Sequence, residues 1–362
     1  MTESIPKKQR QDHGLGQLLQ YENVAWYQEG LVRILDRRVY PAKTHFVECR
    51  RVDQVADAIR DMVTQSAGPY TAAGMGMALA AWQARGKGPQ EQIRQLEAAA
   101  RALSGARPTT RSRMQKITDR ALQVARSGLD QGQGDLSQTL FLLAFDSLER
   151  RYRRMGLVGQ HLVSLFPDRV RLMTHCYGET ILGTMIRAAR DKGIQLALYC
   201  PETRPYLQGA RLTASLALDM GVDVTVITDN MAAQVMSMKK VDMLTTAADV
   251  ICREGYVVNK VGTLQLAILA KHYGIPYFVT GIPDASSLDQ VRLEERDPRQ
   301  VLEMAGQRHV KPGVKGYYPA FDVTPPHLVS GLVTDRGLFT PYNLEDYLAL
   351  GQEEDFYGGS SS

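Results

Sequence analysis

From Val170 onward the chain alternates apolar strand-like runs with helical stretches at intervals of about 25 residues, and few folds accept that rhythm. The strand candidates are Val170 to Thr174, Leu196 to Cys200, Val222 to Thr228, Met243 to Thr246 and Pro276 to Thr280. Helical stretches lie between them at Thr180 to Lys192, Gly209 to Asp219, Met231 to Met238 and Val261 to His272. A helix between two strands lets them pair in parallel, so this half is expected to be a Rossmann-like, doubly wound parallel sheet.

The residues before it are patterned differently. Short strands are expected at Val24 to Tyr27 and Leu31 to Leu35, joined by a tight turn at Gln28-Glu29-Gly30. Val52 to Thr64 places Val55, Ile59 and Val63 on one helical face. Gly74 to Ala84 is rich in small residues and suits a closely packed helix, and Glu91 to Leu103 and Met114 to Arg126 read as two more. The α/β chain is therefore expected to have a flexible tail over 1–16 and a mostly helical amino-terminal domain with short strands over 17–156. The Rossmann-like catalytic domain follows over 157–345, then a carboxyl-terminal tail over 346–362, whose Gln352 to Ser362 end suggests disorder.

Composition removes several function classes. With 43 basic and 39 acidic residues spread along 362 positions, the net charge of +4 gives no basic stripe for nucleic acid. The densest basic run, Ser147 to Arg154, reads as a solvated helix face. No apolar run approaches the roughly 20 residues of a membrane helix, and Met1 to Asp12 lacks the apolar core of a signal peptide. A soluble, cytoplasmic protein with reduced thiols is expected, since Cys49, Cys176, Cys200 and Cys252 show no CxxC spacing. There is no GxGxxG, Walker or GxSxG motif, and no metal or cofactor is expected.

The chemistry collects at the carboxyl ends of the strands, where open α/β sheets bind their ligands. The first strand delivers Cys176, beside a helix start that can lower a thiol's pKa. The second delivers Glu202-Thr203-Arg204-Pro205, the third Asp229-Asn230 and the fourth Asp249. Asn259-Lys260 opens the helix beginning at Val261, where an ammonium and free N–H groups can meet an anion, and Gln208 starts the helix after Glu202. Each residue has a plainer reading: Cys176 as buried filler, Asp229 as a helix cap, Glu202 as a partner of Arg204 or Arg211, His175 as a structural histidine. A thiol, carboxylates and an anion site without a metal cage suit proton transfer on a small phosphorylated substrate.

These segments resemble the methylthioribose-1-phosphate isomerase family, whose relatives are the ribose-1,5-bisphosphate isomerases and the regulatory subunits of translation initiation factor two-B. The matching motifs are Thr174-His175-Cys176, Glu202 to Pro205 with Leu207 to Ala214, Thr228 to Ala232 and Ala248 to Ile251. Asn259 to Thr263, Glu294 to Pro298 and Pro319 to Pro326 continue the series, and the likeness runs from about Asn23 to Tyr342. The resemblance implies conversion of a 5-modified ribose 1-phosphate to the ribulose 1-phosphate in methionine salvage, the sugar being S-methyl-5-thioribose 1-phosphate or 5-deoxyribose 1-phosphate. It implies Cys176 and Asp249 as the reacting pair, with Asp249 the proton donor, and Arg107, Gln208, Asn259 and Lys260 as substrate contacts. It also implies a homodimer.

One departure stands out. Where the family carries Arg-Gly-Ala-Pro-Ala-Ile-Gly, this chain has Thr64 to Thr71, so Gln65, Ser66 and Ala67 occupy the substrate-holding positions without the arginine. Either another cation substitutes, Arg111 being the nearest, or the substrate differs, or catalysis has been lost. Likewise Ala247-Ala248-Asp249-Val250 stands where the family usually has Gly-Ala-Asp-Arg. The alternative functions are an isomerase of another pentose phosphate and a non-enzymatic subunit that senses sugar phosphates.

Overall fold

The computed structural model describes residues 6–107, 111–304 and 306–350. The chain divides into two units, one running from the amino terminus to Arg153 and the other from Arg154 to Gly351.

In the first unit a short helix α1 (Tyr21–Val24) leads into β1 (Trp26–Gln28), β2 (Leu31–Leu35) and β3 (Phe46–Cys49), paired antiparallel in that order. Glu29 and Gly30 both take positive φ, 43° and 82°, the turn geometry that matches the twist of a two-residue hairpin. The helices are α2 (Val52–Arg60), α3 (Gly68–Ala84), α4 (Pro89–Gly105), α5 (Arg111–Asp130) and α6 (Ser137–Val163), and the division between units falls inside α6. Helix α3 is buried on nearly every side, as its run of Ala, Gly and Met allows.

Residues 6 to 16 differ from the flexible tail expected of them. Arg10 and Asp12 are buried and paired; Arg10 also reaches Glu22 at 2.7 Å and lies 4.6 Å from the Tyr21 ring centroid. Nor is the run Ser147 to Arg154 uniformly solvated, because Arg151 and Tyr152 turn inward.

The second unit holds β4 (Arg169–Met173), β5 (Gln195–Pro201), β6 (Asp223–Ile227), β7 (Met243–Ala247), β8 (Val250–Ile251), β9 (Val257–Lys260) and β10 (Tyr277–Thr280). After them come the ribbon β11 (Glu303–Met304) and β12 (Gln307–Arg308), then β13 (Phe321–Thr324), β14 (Gly331–Thr334) and β15 (Gly337–Phe339). Its helices are α7 (Glu179–Asp191), α8 (Ala214–Asp219), α9 (Ala232–Ser237), α10 (Thr263–His272), α11 (Arg299–Leu302) and α12 (Glu345–Ala349). Tyr347 of α12 is buried and donates its hydroxyl to Asp335 at 2.9 Å, so the expected carboxyl-terminal tail begins with packed structure. The rest of that tail, Gln352 to Ser362, lies outside the described residues.

The main sheet runs β15-β14-β10-β7-β4-β5-β6 and is parallel except for the edge pair β14–β15. From β4 the chain winds outward through β5 and β6, then crosses back to β7 and winds the other way through β10 and β14. The switch point therefore falls between β4 and β7, whose strands pair at Leu172↔Met243 and Met173↔Leu244. Beside this sheet stands a smaller antiparallel one in the order β13-β9-β8. Asn259 and Lys260, expected to open a helix, instead end β9, and Asp322 of β13 pairs with Asn259 in this small sheet.

Candidate functional site

Cys176 follows β4, and Asp249 lies between β7 and β8; both thus leave the sheet on the two sides of the switch point. Asp249 is fixed by its own backbone, which donates to Val258 of β9 at 3.0 Å. Two residues further along β9 the buried Lys260 places its ammonium 4.6 Å from the Phe321 ring centroid. The short antiparallel sheet thus ties the acid and the cation to one rigid frame.

Cys176 adopts φ +60°, a left-handed conformation unusual for a residue with a Cβ. Gly178 keeps φ −76°, and Glu179 supplies the other positive φ at 45°. The half-buried cysteine has its thiol pushed up to about 11 by desolvation; the Lys260 charge opposes the rise and the Asp249 charge adds to it. The expected lowering by a helix start therefore loses to burial, and the thiol keeps its proton at neutral pH.

The α10 amino terminus also differs from expectation. Asp322 accepts the N–H groups of Gly262 at 2.7 Å and Leu264 at 3.1 Å with one carboxylate oxygen, so the protein's own carboxylate caps the helix. Burial pushes that carboxyl up to about 6, and Oδ1 has no hydrogen-bond partner among the described residues. Asn259 donates from Nδ2 to Thr263 Oγ1 at 3.0 Å, and Thr263 donates to the Lys260 carbonyl at 2.7 Å, bracing the turn that carries the lysine. Gly262 sits at φ +103°, and a Cβ there would come within 2.9 Å of His175 Nε2.

His175 is structural. Its Nε2 lies 2.9 Å from the Val261 carbonyl, which requires the proton on that nitrogen, and burial holds the ring neutral. Asp229 does not cap its own helix; it accepts the N–H groups of Thr203 at 2.8 Å and Arg204 at 2.7 Å. Glu202 is pushed above the usual carboxylate range by burial and then by Asp229, while Arg204 and Arg211 spend guanidinium donors on backbone carbonyls. Gln208 is buried at the entrance to a single π turn, Gly209–Thr213, which precedes α8.

Sequence reasoning passed over Arg296 and Tyr318. The positive charge of Arg296 bears on both the Cys176 thiol and the Tyr318 phenol, and its guanidinium carbon lies 5.8 Å from the same Phe321 ring that carries Lys260. Among the described residues its buried Nη1 and the Tyr318 hydroxyl lack hydrogen-bond partners. The hints in the sequence are that Arg296 lies in the matching motif Glu294 to Pro298 and stands between acidic residues.

The remaining sequence-nominated residues belong to the first unit. Arg107 is buried, and its Nε and Nη1 have no partner among the described residues; Pro108 and Thr109, read with it, lie outside them. Gln65 is buried too, its carbonyl accepting from Arg37 at 2.9 Å, and Ser66 sits at φ +56°. The Ala67 carbonyl accepts from Arg151 at 2.6 Å, so two arginines brace this segment through its backbone. Arg111 opens α5 and is exposed.

A doubly wound sheet with a thiol and a carboxylate at its switch point, framed by a lysine, defines a class of site suited to handling protons on an anionic small molecule. Residues 66–341 match the model of the initiation factor 2 subunit family, and the chain belongs to that family. It is 35% identical over 338 residues to the methylthioribose-1-phosphate isomerase of Pelotomaculum thermopropionicum, covering 88% of this chain and 91% of that one. With the protein of the same name from Anaeromyxobacter sp. (strain K) it shares 37% over 322 residues, covering 85% and 90%. Among solved structures it resembles translation initiation factor eIF-2B subunit delta from A. fulgidus, with TM-score 0.79, 30% identity and coverage of 90% and 99%. It also resembles 5-methylthioribose 1-phosphate isomerase from Pyrococcus horikoshii OT3, with TM-score 0.76, 30% identity and coverage of 91% and 96%.

Proposed function

We propose that this chain is an aldose–ketose isomerase that converts S-methyl-5-thioribose 1-phosphate to the corresponding ribulose 1-phosphate, a step of methionine salvage. The observation that carries this reading is the placement of Cys176 and Asp249 on the two sides of the switch point, with Lys260 acting on the thiol. Phosphate on the anomeric oxygen prevents the ring from opening to a free aldehyde. The reaction must therefore break the ring C1–O bond with a proton delivered to the ring oxygen. A hydrogen leaves C2 and one arrives at C1, and the C2 hydroxyl loses its proton as the carbonyl forms, so the sequence is redox-neutral. We assign Asp249 to the ring oxygen, its carboxylate then being available for the C2 hydroxyl proton. Cys176, protonated at rest, faces the hydrogen in transit.

Lys260 and Asn259 serve as substrate contacts together with Gln208, Arg107 and the Gln65–Ala67 segment. The buried Nε and Nη1 of Arg107 and the buried Nη1 of Arg296, which lack partners among the described residues, support a ligand rich in anionic oxygen, because a buried donor left without a hydrogen bond is costly. Arg296 is then our candidate for a further cationic contact in the second unit, whereas Arg111 is exposed. The same reading carries a cytoplasmic homodimer; among the described residues no helix is long and apolar enough to cross a membrane.

Phosphorus NMR of the purified protein with methylthioribose 1-phosphate tests the reading. Conversion to the ketose phosphate is expected. Thermal stabilisation by that sugar phosphate without conversion would overturn it in favour of a regulatory sensor, the second reading that the likeness to the eIF-2B subunit keeps in play.

A further inference from the structure

We propose that Thr203, anchored by Asp229, is a positioning residue that holds Cys176 in its reactive geometry. The inference rests on the reading of Cys176 as the reacting thiol. Cys176 at φ +60° and Thr203 at φ +63° are both left-handed, a conformation that is a true outlier for a β-branched residue such as threonine. Such conformations persist only where the surroundings fix them, and here the fixings are visible.

Both oxygens of Asp229 accept consecutive backbone N–H groups, Thr203 at 2.8 Å and Arg204 at 2.7 Å, which clamps the bend after β5. The clamp aims the buried Thr203 hydroxyl, which accepts the Cys176 N–H at 3.1 Å while donating to the Pro201 carbonyl at 3.2 Å. A second hydroxyl from the same segment, Thr213, donates to the Cys176 carbonyl. The two polar groups of the cysteine backbone are thus satisfied by threonine side chains rather than by a strand or helix. Glycine is required beside them: a Cβ at Gly209 would lie 1.9 Å from the Pro201 oxygen and 2.9 Å from Thr203 Oγ1. Thr203 and Asp229 touch the thiol's backbone rather than its sulfur, so their action is on orientation.

The test compares Thr203→Val, which keeps the shape and deletes the hydroxyl, with Thr203→Ser, which keeps the hydroxyl. With methylthioribose 1-phosphate as substrate, Thr203→Val is expected to lower kcat by about 10- to 100-fold, with KM within about threefold of the parent. Thr203→Ser should recover kcat to within about threefold, and Asp229→Asn, which keeps one good acceptor, should lose about tenfold. The alkylation rate of Cys176, followed by peptide mass spectrometry across pH 7 to 10, should change in Thr203→Val and return in Thr203→Ser. Unchanged kcat and unchanged alkylation in Thr203→Val would overturn the proposal; if that variant does not fold, unchanged values in Asp229→Asn would do so. Because alkylation needs no turnover, failures of the underlying readings appear separately: no conversion of methylthioribose 1-phosphate by the parent protein for the isomerase reading, and full activity in Cys176→Ser for the reacting thiol.

Discussion

Lys260 and Phe321 stand opposite one another in the β9–β13 pairing, and the lysine ammonium lies 4.6 Å from the centre of the phenylalanine ring. The ring holds the buried cation by its π face. Replacing the lysine by methionine preserves the packing and removes the charge. Lys260→Met should raise KM for a sugar phosphate by about 10- to 100-fold, the worth of one charge-assisted contact. Steady-state kinetics at low ionic strength measure it.

Arg296 makes a similar prediction with a different signature. Its planar fork, with Nη1 buried and unpartnered among the described residues, can meet a phosphate or sugar oxygen from a fixed direction. Arg296→Met is expected to raise KM about tenfold or more, and Arg296→Lys to recover only part of that, because a point charge does not reproduce the fork. Wild-type kinetics in Arg296→Met would remove it from the site.

The thiol gives a prediction in pH. Burial pushes Cys176 up to about 11, well above its ordinary 9.0. Only the thiolate reacts with alkylating reagents, so at pH 8 the native protein should be modified at Cys176 roughly 100-fold more slowly than a free thiol, with the rate climbing until about pH 11. Rapid labelling at pH 7 would show that the fold activates the sulfur instead.

Asp322 predicts how stability follows pH. Its carboxyl is raised from 3.8 to about 6, mainly by burial, although the Gly262 and Leu264 N–H groups and Lys260 favour the charged form. Between pH 4 and 6 the folded chain holds a proton here that the unfolded chain has released. This group's contribution therefore falls as pH rises through that window and is flat above it. Asp322→Asn has no such titration. Relative to the parent it should gain up to about 2 kcal/mol between pH 4.5 and 7.5, read by urea unfolding at the two pH values. An unchanged gap would mean that the carboxyl is not perturbed in the fold.

The four strands carrying Cys176, Glu202, Asp229 and Asp249 were legible because each is a run of apolar residues ended by polar ones, which a parallel sheet requires. Strands β8, β9 and β13 were not: two to four residues, buried on both faces in the case of Val257 to Lys260, show no alternation, and the end of β9 was read as opening the next helix. The tail reading of residues 1 to 16 followed polar composition, which does not reveal that Arg10, Asp12 and Glu22 are partners. Helix-start chemistry suggested a lowered thiol at Cys176, and the opposite outcome follows from burial, a quantity that depends on the whole fold. Thr203 and Asp322 act through hydrogen bonds to residues 27 and 60 positions away, a relation no local pattern contains.

The most direct test removes the two groups that leave the sheet on the two sides of the switch point. Turnover of methylthioribose 1-phosphate is measured for Cys176→Ser and Asp249→Asn, with circular dichroism and melting temperature confirming that each variant folds as the parent does. Loss of at least about 1000-fold in kcat in both folded variants is the predicted result. If either folded variant turns over within tenfold of the parent, the thiol–carboxylate pair does not carry out the isomerisation.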